Sequence, residues 1–319
     1  MMKGQKGAAL IVVLLLVATL AFILLSLSNI ITSSVARSAA DRMRSASFWH
    51  AAAGEEIARK ALEKYFATAP TKMAAGEGLF SGPRELPLEG GKATLMFRDA
   101  TRCFNINSMV SKSDESIEGN NAGVERFVRL MTGVGLGVGE ANRLADVIVD
   151  YMDTDSVSRP QGAEDGFYTG LPVPYRTGGQ LIYSVSELQA LDRVPRSLYR
   201  RIRPYLCALD QTAPTTINAN LLRADAHAVL AAALAPPEAG ASTSRIADAI
   251  NALPPGGVAN TADLRPPLNV TPGLAVVSDH VEALVRLEVN GLVVEEKLLF
   301  EVKAGSPPRL VARTLGEDY

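Results

Sequence analysis

The sequence predicts an α+β protein in which a long N-terminal helix precedes a small antiparallel sheet, and a large two-part helical insertion interrupts that sheet. Three observations favour this architecture. The 319-residue chain begins with an apolar run and contains no proline before Pro70. Strand-like alternation is confined to residues 84–99 and 280–304, whereas helical patterns dominate between them. An insertion of helices into one sheet is therefore the most economical arrangement.

Composition narrows the function without naming it. The formal net charge of −2 gives no reason to expect a polyanionic partner such as nucleic acid. Two cysteines are too few for a disulfide-rich scaffold or a four-cysteine zinc site, and the three histidines lack the spacing of metal ligands. The glycine-rich turn at residues 131–140 has acidic flanking residues, so it is interpreted as a helix-packing turn and not as a nucleic-acid contact.

The apolar run from Ala8 to Leu27 contains 20 residues and no charge. As a helix it spans about 30 Å, the thickness of the hydrocarbon layer of a membrane. Lys3 and Lys6 precede it, which places the N-terminus in the cytoplasm and the rest of the chain across the membrane. A cleavable signal peptide is the alternative, but the candidate cleavage site follows Gly7 and so lies before the apolar run.

The helical pattern continues beyond the membrane-spanning segment. Six residues recur at alternating steps of four and three, the spacing of a seam that packs on partner helices. They are Ala39, Met43, Ala46, His50, Ala53 and Ile57. A continuous helix over residues 8–68 is about 90 Å long, so half of it lies in lipid and half forms a stem outside the membrane.

A short basic leader that ends in glycine, an apolar helix directly behind it and an amphipathic extension together resemble the type IV pilin and pseudopilin class. The resemblance implies that a prepilin peptidase cleaves between Gly7 and Ala8 and methylates the new N-terminus. Most members carry glutamate as the fifth mature residue, where this chain has Val12. A membrane-buried carboxylate is costly without a partner, and in the family that partner is the terminal ammonium of the subunit added before it. A subunit without the glutamate needs no neighbour ahead of it, which predicts a position at the tip.

Beyond the stem, alternation predicts strands over Arg84–Leu88 and Lys92–Asp99, and a C-terminal hairpin that turns at Asn290-Gly291. The helical insertion divides near Pro214. We therefore expect the following segments: a leader at 1–7, the N-terminal helix at 8–68 with its transmembrane part at 8–27, a first sheet part at 69–103, a helical insertion with an acidic loop at 104–209, a second helical part at 210–277 and C-terminal strands at 278–319.

The chemically richest stretch is DYMDTDSVSRPQGAED, residues 150–165, which we call the acidic loop. Only Arg159 opposes its five carboxylates, Asp150, Asp153, Asp155, Glu164 and Asp165. Grouped like charges are costly unless a cation joins them or they stay solvated. Hard oxygen ligands on a glycine-containing loop suit Ca²⁺, although the spacing is not that of an EF-hand. A calcium site, a solvated loop and a carboxylate pair for acid–base catalysis are the three interpretations, and no aromatic platform for a sugar supports the third.

The glutamate-free stem is followed in order by TRCFNINSMV, DYMDTDSVSRPQGAEDGFY, PYRTGGQLIYSVSELQAL, LYRRIRPYLCAL and TTINAN. In this order the stretches resemble type II secretion system protein K, a family of large minor pseudopilins, over most of the chain. The resemblance implies a ferredoxin-like pseudopilin sheet, a helical insertion whose second part is SAM-like, and calcium bound in the helical domain. The five carboxylates of the acidic loop become the candidate ligands, with Glu187 as a weaker sixth. Gly179 stands where the family tends to have asparagine.

Cys103 and Cys207 lie at the two ends of the first helical part. In an oxidising periplasm they either form a disulfide or remain two small buried residues, and the sequence leaves both interpretations open.

The resemblance also implies a function without catalysis. The protein would initiate and cap the pseudopilus during protein export across the outer membrane, with a single pass through the inner membrane and its head in the periplasm. Its expected partners are the minor pseudopilins I and J, the major pseudopilin, the inner-membrane assembly platform and prepilin peptidase. Two alternatives remain, a minor pilin of a type IV pilus and a membrane-anchored periplasmic hydrolase.

Overall fold

The structure is a computed structural model that describes residues 5–191, 194–236 and 240–316. The first four residues of the predicted leader and the last three of the predicted C-terminal segment lie outside the described residues. The helices are α1 (Gln5–Phe66), α2 (Asn121–Gly133), α3 (Val138–Met152), α4 (Asp165–Tyr168), α5 (Arg196–Ile202), α6 (Ala224–Leu234) and α7 (Thr243–Asn251). The strands are β1 (Arg84–Leu88), β2 (Gly91–Asp99), β3 (Phe104–Asn105), β4 (Val110–Lys112), β5 (Ile117–Gly119), β6 (Leu206–Cys207), β7 (Ile217–Asn218), β8 (Leu274–Ala275), β9 (His280–Val289), β10 (Leu292–Glu301) and β11 (Arg309–Leu315).

Helix α1 is an unbroken stem of 62 residues, about 90 Å long at 1.5 Å per residue. Within the described residues it is the one helix that is long and apolar enough to cross a membrane. Its first half exposes its apolar side chains, whereas its last turns bury Ala58, Leu62 and Phe66 against the sheet. The stem therefore has an unpartnered apolar part and a part that is anchored in the head.

A five-stranded antiparallel sheet has the strand order β1-β2-β9-β10-β11. Sequence alternation placed β1, β2, β9 and β10 correctly, except that β2 begins at Gly91, but it did not predict β11, which lies beyond residue 304. The turn from β9 to β10 uses Asn290 and Gly291 with φ of 52° and 79°, the left-handed conformations that this dipeptide tolerates. All residues between β2 and β9 belong to the helical insertion, which confirms the predicted α+β architecture.

One face of the sheet packs on the stem. Alternate residues of each central strand point to that face and are buried, as period-two alternation requires. They include Ala93, Leu95 and Phe97 of β2, Val281, Ala283, Val285 and Leu287 of β9, and Leu298 and Phe300 of β10. Together with the last turns of α1 they form a core separate from that of the helical insertion.

The first helical unit is organised by two buried asparagines, one at the end of β3 and one two residues later. The side-chain oxygen of Asn105 accepts hydrogen bonds from the backbone N–H groups of Asn107 and Leu209. Asn107 in turn exchanges a pair of hydrogen bonds with the backbone of Ile182. Each buried amide thereby satisfies backbone groups that belong to distant loops.

The second helical unit repeats this arrangement. At the end of β7, Asn218 accepts a hydrogen bond from the N–H of Asn220, and Asn220 exchanges a pair of hydrogen bonds with the backbone of Val258. The similarity between the two units continues two residues beyond Ile182 and Val258. There Ser184 and Asn260 each cap a short 3₁₀ helix by accepting a hydrogen bond from the backbone N–H two positions ahead. The sequence analysis did not detect this internal repeat, because only short stretches of FNIN and INAN match.

The two units differ chiefly in one insertion. In the first unit, Asn107 and its partner Ile182 are 75 positions apart. In the second unit, Asn220 and its partner Val258 are 38 positions apart. Much of the difference lies between α3 and residue 182, and this stretch contains the acidic loop. The acidic loop is therefore an addition to a helical unit that folds without one in the second copy.

Each unit is closed by a two-residue parallel strand pair, β3 with β6 and β7 with β8. Beside the first pair, a disulfide joins Cys103 to Cys207, which are separated by 104 positions in sequence. The disulfide interpretation left open by the sequence is the one present in the structure, because entry and exit of the first unit lie side by side.

Candidate metal centre in the acidic loop

Helix α3 supplies the rigid side of the candidate centre. Its apolar residues are buried in the core of the first unit, so its last turn projects Asp150 into the loop that follows. Asp153 caps the end of the helix in an extended conformation. Glu164, directly before α4, comes from the far end of the acidic loop. A fixed helix end and a returning loop therefore define the site.

Three carboxylates converge there. Asp150, Asp153 and Glu164 are buried, and each offers an oxygen within 4.8 Å of the oxygens offered by the other two. Asp153 Oδ1 and Glu164 Oε1 have no hydrogen-bond partner. Buried polar atoms without a partner are rare in folded proteins, and a bound cation is one arrangement that would satisfy these two oxygens.

The electrostatics of the cluster disfavour three negative charges. Burial, together with the charges of Asp150, Asp155 and Glu164, raises the pKa of Asp153 to about 7. Burial likewise raises the pKa of Glu164 to about 7 and that of Asp150 to about 6. Without a cation the site therefore retains protons near neutral pH.

Arg159 does not neutralise the cluster. Its guanidinium Nε donates to Asp146 Oδ1 at 2.8 Å, and its backbone N–H donates to Asp150 Oδ2 at 3.1 Å. Asp146 also accepts from the N–H of Gln161 at 3.2 Å. Asp146 thus holds the loop against α3. The sequence analysis missed it, although its position one turn before Asp150 on the same helix was the available signal.

Gly162 allows the loop to approach α3 closely. A Cβ atom at this position would lie 1.9 Å from Asp150 Oδ2. Any side chain here would displace the carboxylate or the loop, so the glycine is required by space and not by backbone conformation. Gly179, in contrast, has a φ of 53°, which asparagine also tolerates. Its backbone conformation accounts for the glycine at a position where the family tends to have asparagine.

The other candidate ligands lie outside the cluster of three. Asp155 is exposed, and its Oδ1 accepts from the N–H of Val157. Asp165 accepts from the N–H and hydroxyl of Thr177, hydrogen bonds that lower its pKa. Glu187 caps the N-terminus of the 3₁₀ helix Val185–Ala190. Asp155 acts on the cluster through its charge, whereas the other two have structural partners of their own.

The donor set fits a hard divalent cation. Three carboxylates supply oxygen only, and the two unpartnered oxygens give a cation immediate ligands. Within the described residues no histidine or cysteine joins the group, which disfavours a softer metal such as zinc. Of the other predicted site residues, Gly7 and Ala8 lie in the first turns of α1, far along the stem from this site.

Comparison with known proteins places this geometry in a family. The family model for type II secretion system protein K matches residues 102–211, which contain the acidic loop. The protein K of Pectobacterium carotovorum subsp. carotovorum is 31% identical over 70% of this chain and 68% of its own length. That of Aeromonas hydrophila is 29% identical over 94% of this chain and 90% of its own length.

A solved structure has the same fold. The crystal structure of the GspK–GspI–GspJ complex from the type 2 secretion system of enterotoxigenic Escherichia coli matches with a TM-score of 0.70 and 21% identity. The match covers 88% of this chain and all of that chain. The chain described here therefore belongs to the type II secretion system protein K family.

Proposed function

We propose that the protein is a minor pseudopilin that occupies the tip of the type II secretion pseudopilus, where it initiates and caps the fibre during export across the outer membrane. The observation that carries this proposal is the combination of an exposed apolar stem and a broad head in a chain of the protein K family. Such a chain needs other stems to cover its own, and its head is too wide to repeat along a thin fibre.

The absence of a glutamate near the start of the stem supports the tip position. Val12 occupies the fifth mature position and is exposed on α1. It places no carboxylate in the membrane, so assembly requires no ammonium group from a preceding subunit. A subunit that needs no neighbour ahead of it suits the first place in the fibre.

Insertion follows from the same stem. The apolar segment anchors the protein in the inner membrane with its head in the periplasm, after prepilin peptidase cleaves between Gly7 and Ala8 and methylates the new terminus. Replacing Gly7 with leucine should therefore abolish the electrophoretic shift that accompanies maturation in cells with the peptidase. A shift that persists in the variant contradicts processing at this bond.

The partners of this stem and head are the minor pseudopilins I and J, as in the solved complex of the related protein, followed by the major pseudopilin and the assembly platform. On the stem, Met43, Phe48 and Trp49 are exposed beyond the membrane-spanning segment. These side chains give partner helices an apolar contact outside the membrane.

Binding to I and J tests the assignment directly. The full chain in detergent is mixed with purified I and J proteins, and complex formation is followed by size-exclusion chromatography. A stable ternary complex is expected, and its absence would contradict the minor pseudopilin role. A minor pilin of a type IV pilus predicts no such complex. A membrane-anchored hydrolase instead predicts turnover that is lost on Asp153→Ala.

We further propose that the acidic loop binds calcium, with Asp150, Asp153 and Glu164 as ligands and Asp155 as a nearby charge. The ion would neutralise the carboxylates and hold the loop on α3. At a calcium concentration 100-fold above the Kd, binding stabilises the folded state by about 2.7 kcal/mol. For a protein of this size, that corresponds to a rise in Tm of about 4 °C.

Calorimetry of the full chain in detergent, with calcium and with EDTA, measures this shift. The double variant Asp153→Asn/Glu164→Gln should melt at one temperature in both conditions. It should also melt at a higher temperature than the unchanged protein in EDTA, because it lacks two buried carboxyls whose ionisation costs stability. Identical melting of the unchanged protein with and without chelator would remove the calcium proposal.

A further inference from the structure

A groove separates the outer face of the sheet from the helical insertion. One section, of about 540 Å³, lies beside the disulfide and is walled by Tyr183 to Gln189. A second section, of about 490 Å³, continues over β2, β9 and β10. The two sections share Arg203, Glu282 and Lys297, so they form one continuous cleft, which we call the sheet groove. Each section has the volume of an ordinary binding site.

The floor of the sheet groove is the face that the stem does not cover. Three apolar side chains on it, Met96, Leu284 and Leu299, are only partly buried. Charged residues alternate with them along and across the strands. A floor of this kind offers apolar contact between fixed charges, which suits a peptide segment better than a free inorganic anion.

Most of the basic side chains that line the groove are already neutralised. Arg102 pairs with Asp99 at 3.2 Å, and Lys297 pairs with Glu282 at 3.1 Å. Arg286 is paired with both Glu288 and Glu295. These pairs belong to the protein itself and leave no charge for a ligand.

Arg98 and Arg203 differ from the rest. Both line the second section of the groove, one from β2 and the other from directly after α5. Along the described ranges, neither side chain has an ion pair or a hydrogen bond. Arg200 and Arg201, at the end of α5, are exposed and equally without ion pairs among the described residues. The guanidiniums of Arg98 and Arg203, without ion pairs among the described residues, therefore line the cleft in a chain whose net charge is −2.

We propose that the sheet groove receives an extended, acidic segment of a partner protein, whose carboxylates pair with Arg98 and Arg203. A guanidinium binds a carboxylate through two parallel hydrogen bonds, the strongest polar contact available to an exposed peptide. Met96 and Leu284 would contact the apolar side chains between the acids. This surface goes beyond the proposed function, because it does not depend on the tip position or on calcium.

Site-specific cross-linking in cells that carry the complete secretion system tests the groove. A diazirine amino acid replaces Met96 on the floor, and a second strain carries it at Val138, which is exposed outside the groove. Light should produce a heterologous product from position 96 alone, and mass spectrometry should find aspartate or glutamate in the attached partner peptide.

Charge reversal supplies the matched control. Arg98→Glu/Arg203→Glu should lower the yield of the product at least about tenfold, since two charge-assisted contacts become repulsive. Arg143→Glu/Arg265→Glu reverses the same number of exposed charges outside the groove and should leave the yield unchanged. If the charge-reversal variant in the groove does not melt at the temperature of the unchanged protein, Arg98→Gln/Arg203→Gln replaces it. This neutral variant should lower the yield of the cross-linked product by an intermediate amount.

Several outcomes would overturn the proposal. They are the absence of a product at position 96, a partner peptide without acidic residues, and a yield that resists both groove variants. A product with a second copy of this chain, or with another part of the same chain, would overturn it as well. None of these results bears on complex formation with I and J through the stem.

Discussion

Glu296 lies on the stem-facing side of β10, where both of its carboxylate oxygens are buried without a hydrogen-bond partner. The guanidinium of Arg313 approaches to 3.7 Å but pairs with Glu55 on the stem. Burial therefore raises the pKa of Glu296 to about 7. An acid whose pKa is raised on folding binds its proton more tightly in the folded state, so its ionisation costs stability.

The variant Glu296→Gln tests this cost. In the unchanged protein, Glu296 makes the free energy of unfolding fall as the pH rises from about 4.5, its usual pKa, through about 7. Glutamine does not ionise, so the variant should lose less stability between pH 5 and pH 8. Melting of both proteins across that range in the same buffers measures the difference, because the acidic loop contributes equally to both. An unchanged pH dependence would show that Glu296 is already paired when ionised.

The contact between stem and sheet depends on the absence of a side chain at one helix position. A Cβ atom at Gly54 would lie 2.2 Å from Glu296 Oε1 and 3.0 Å from the side chain of Val285. Glycine within a helix normally costs about 0.5–1 kcal/mol relative to alanine. Here the close approach of helix and sheet outweighs that cost.

Gly54→Ala should therefore destabilise the protein by about 1–3 kcal/mol, the usual range for overpacking a core. Gly139→Ala on α3 is the matched control, since a Cβ there meets nothing within 4 Å. That substitution should be neutral or stabilising. Urea unfolding followed by circular dichroism compares the two, and equal effects would contradict a packing role for Gly54.

The whole molecule is held together where its parts meet. Asn218 donates to the carbonyl of Met73, after the stem, and to the hydroxyl of Ser278, before β9. The disulfide between Cys103 and Cys207 ties the entry of the first helical unit to its exit. Stem, sheet and helical units are thus joined by buried polar and covalent contacts at one junction.

Removing the disulfide should act mainly on the unfolded chain. A cross-link between residues 104 positions apart restricts the unfolded ensemble strongly, so Cys103→Ser/Cys207→Ser should cost about 2–5 kcal/mol. Denaturant titration of the double variant, and of the unchanged protein with and without reductant, checks this value. Reduction should have no effect on the double variant, and equal stability of all samples would contradict the prediction.

Local pattern was sufficient for the stem and for β1, β2, β9 and β10, whereas β11 and the short strands of the helical insertion were not predicted. The stem follows from an uncharged run and an unbroken helical period, and the central hairpin from alternation on either side of Asn290-Gly291. These signals act over a few residues, within one turn of helix or one strand pair. The family resemblance, carried by the order of longer motifs, extended them to the correct α+β architecture.

The site required the folded chain. Composition offered five carboxylates, but the end of α3 and the return of the loop bring together only Asp150, Asp153 and Glu164. The guanidinium of Arg159 pairs with Asp146 and offsets the three carboxylates only in part. The internal repeat and the unpaired Arg98 and Arg203 were equally invisible in the sequence. Periodicity in the sequence indicates which face of a helix or strand is buried. The convergence of side chains at a site and their removal from water depend on residues far apart in the chain, because only the tertiary structure brings these residues into contact.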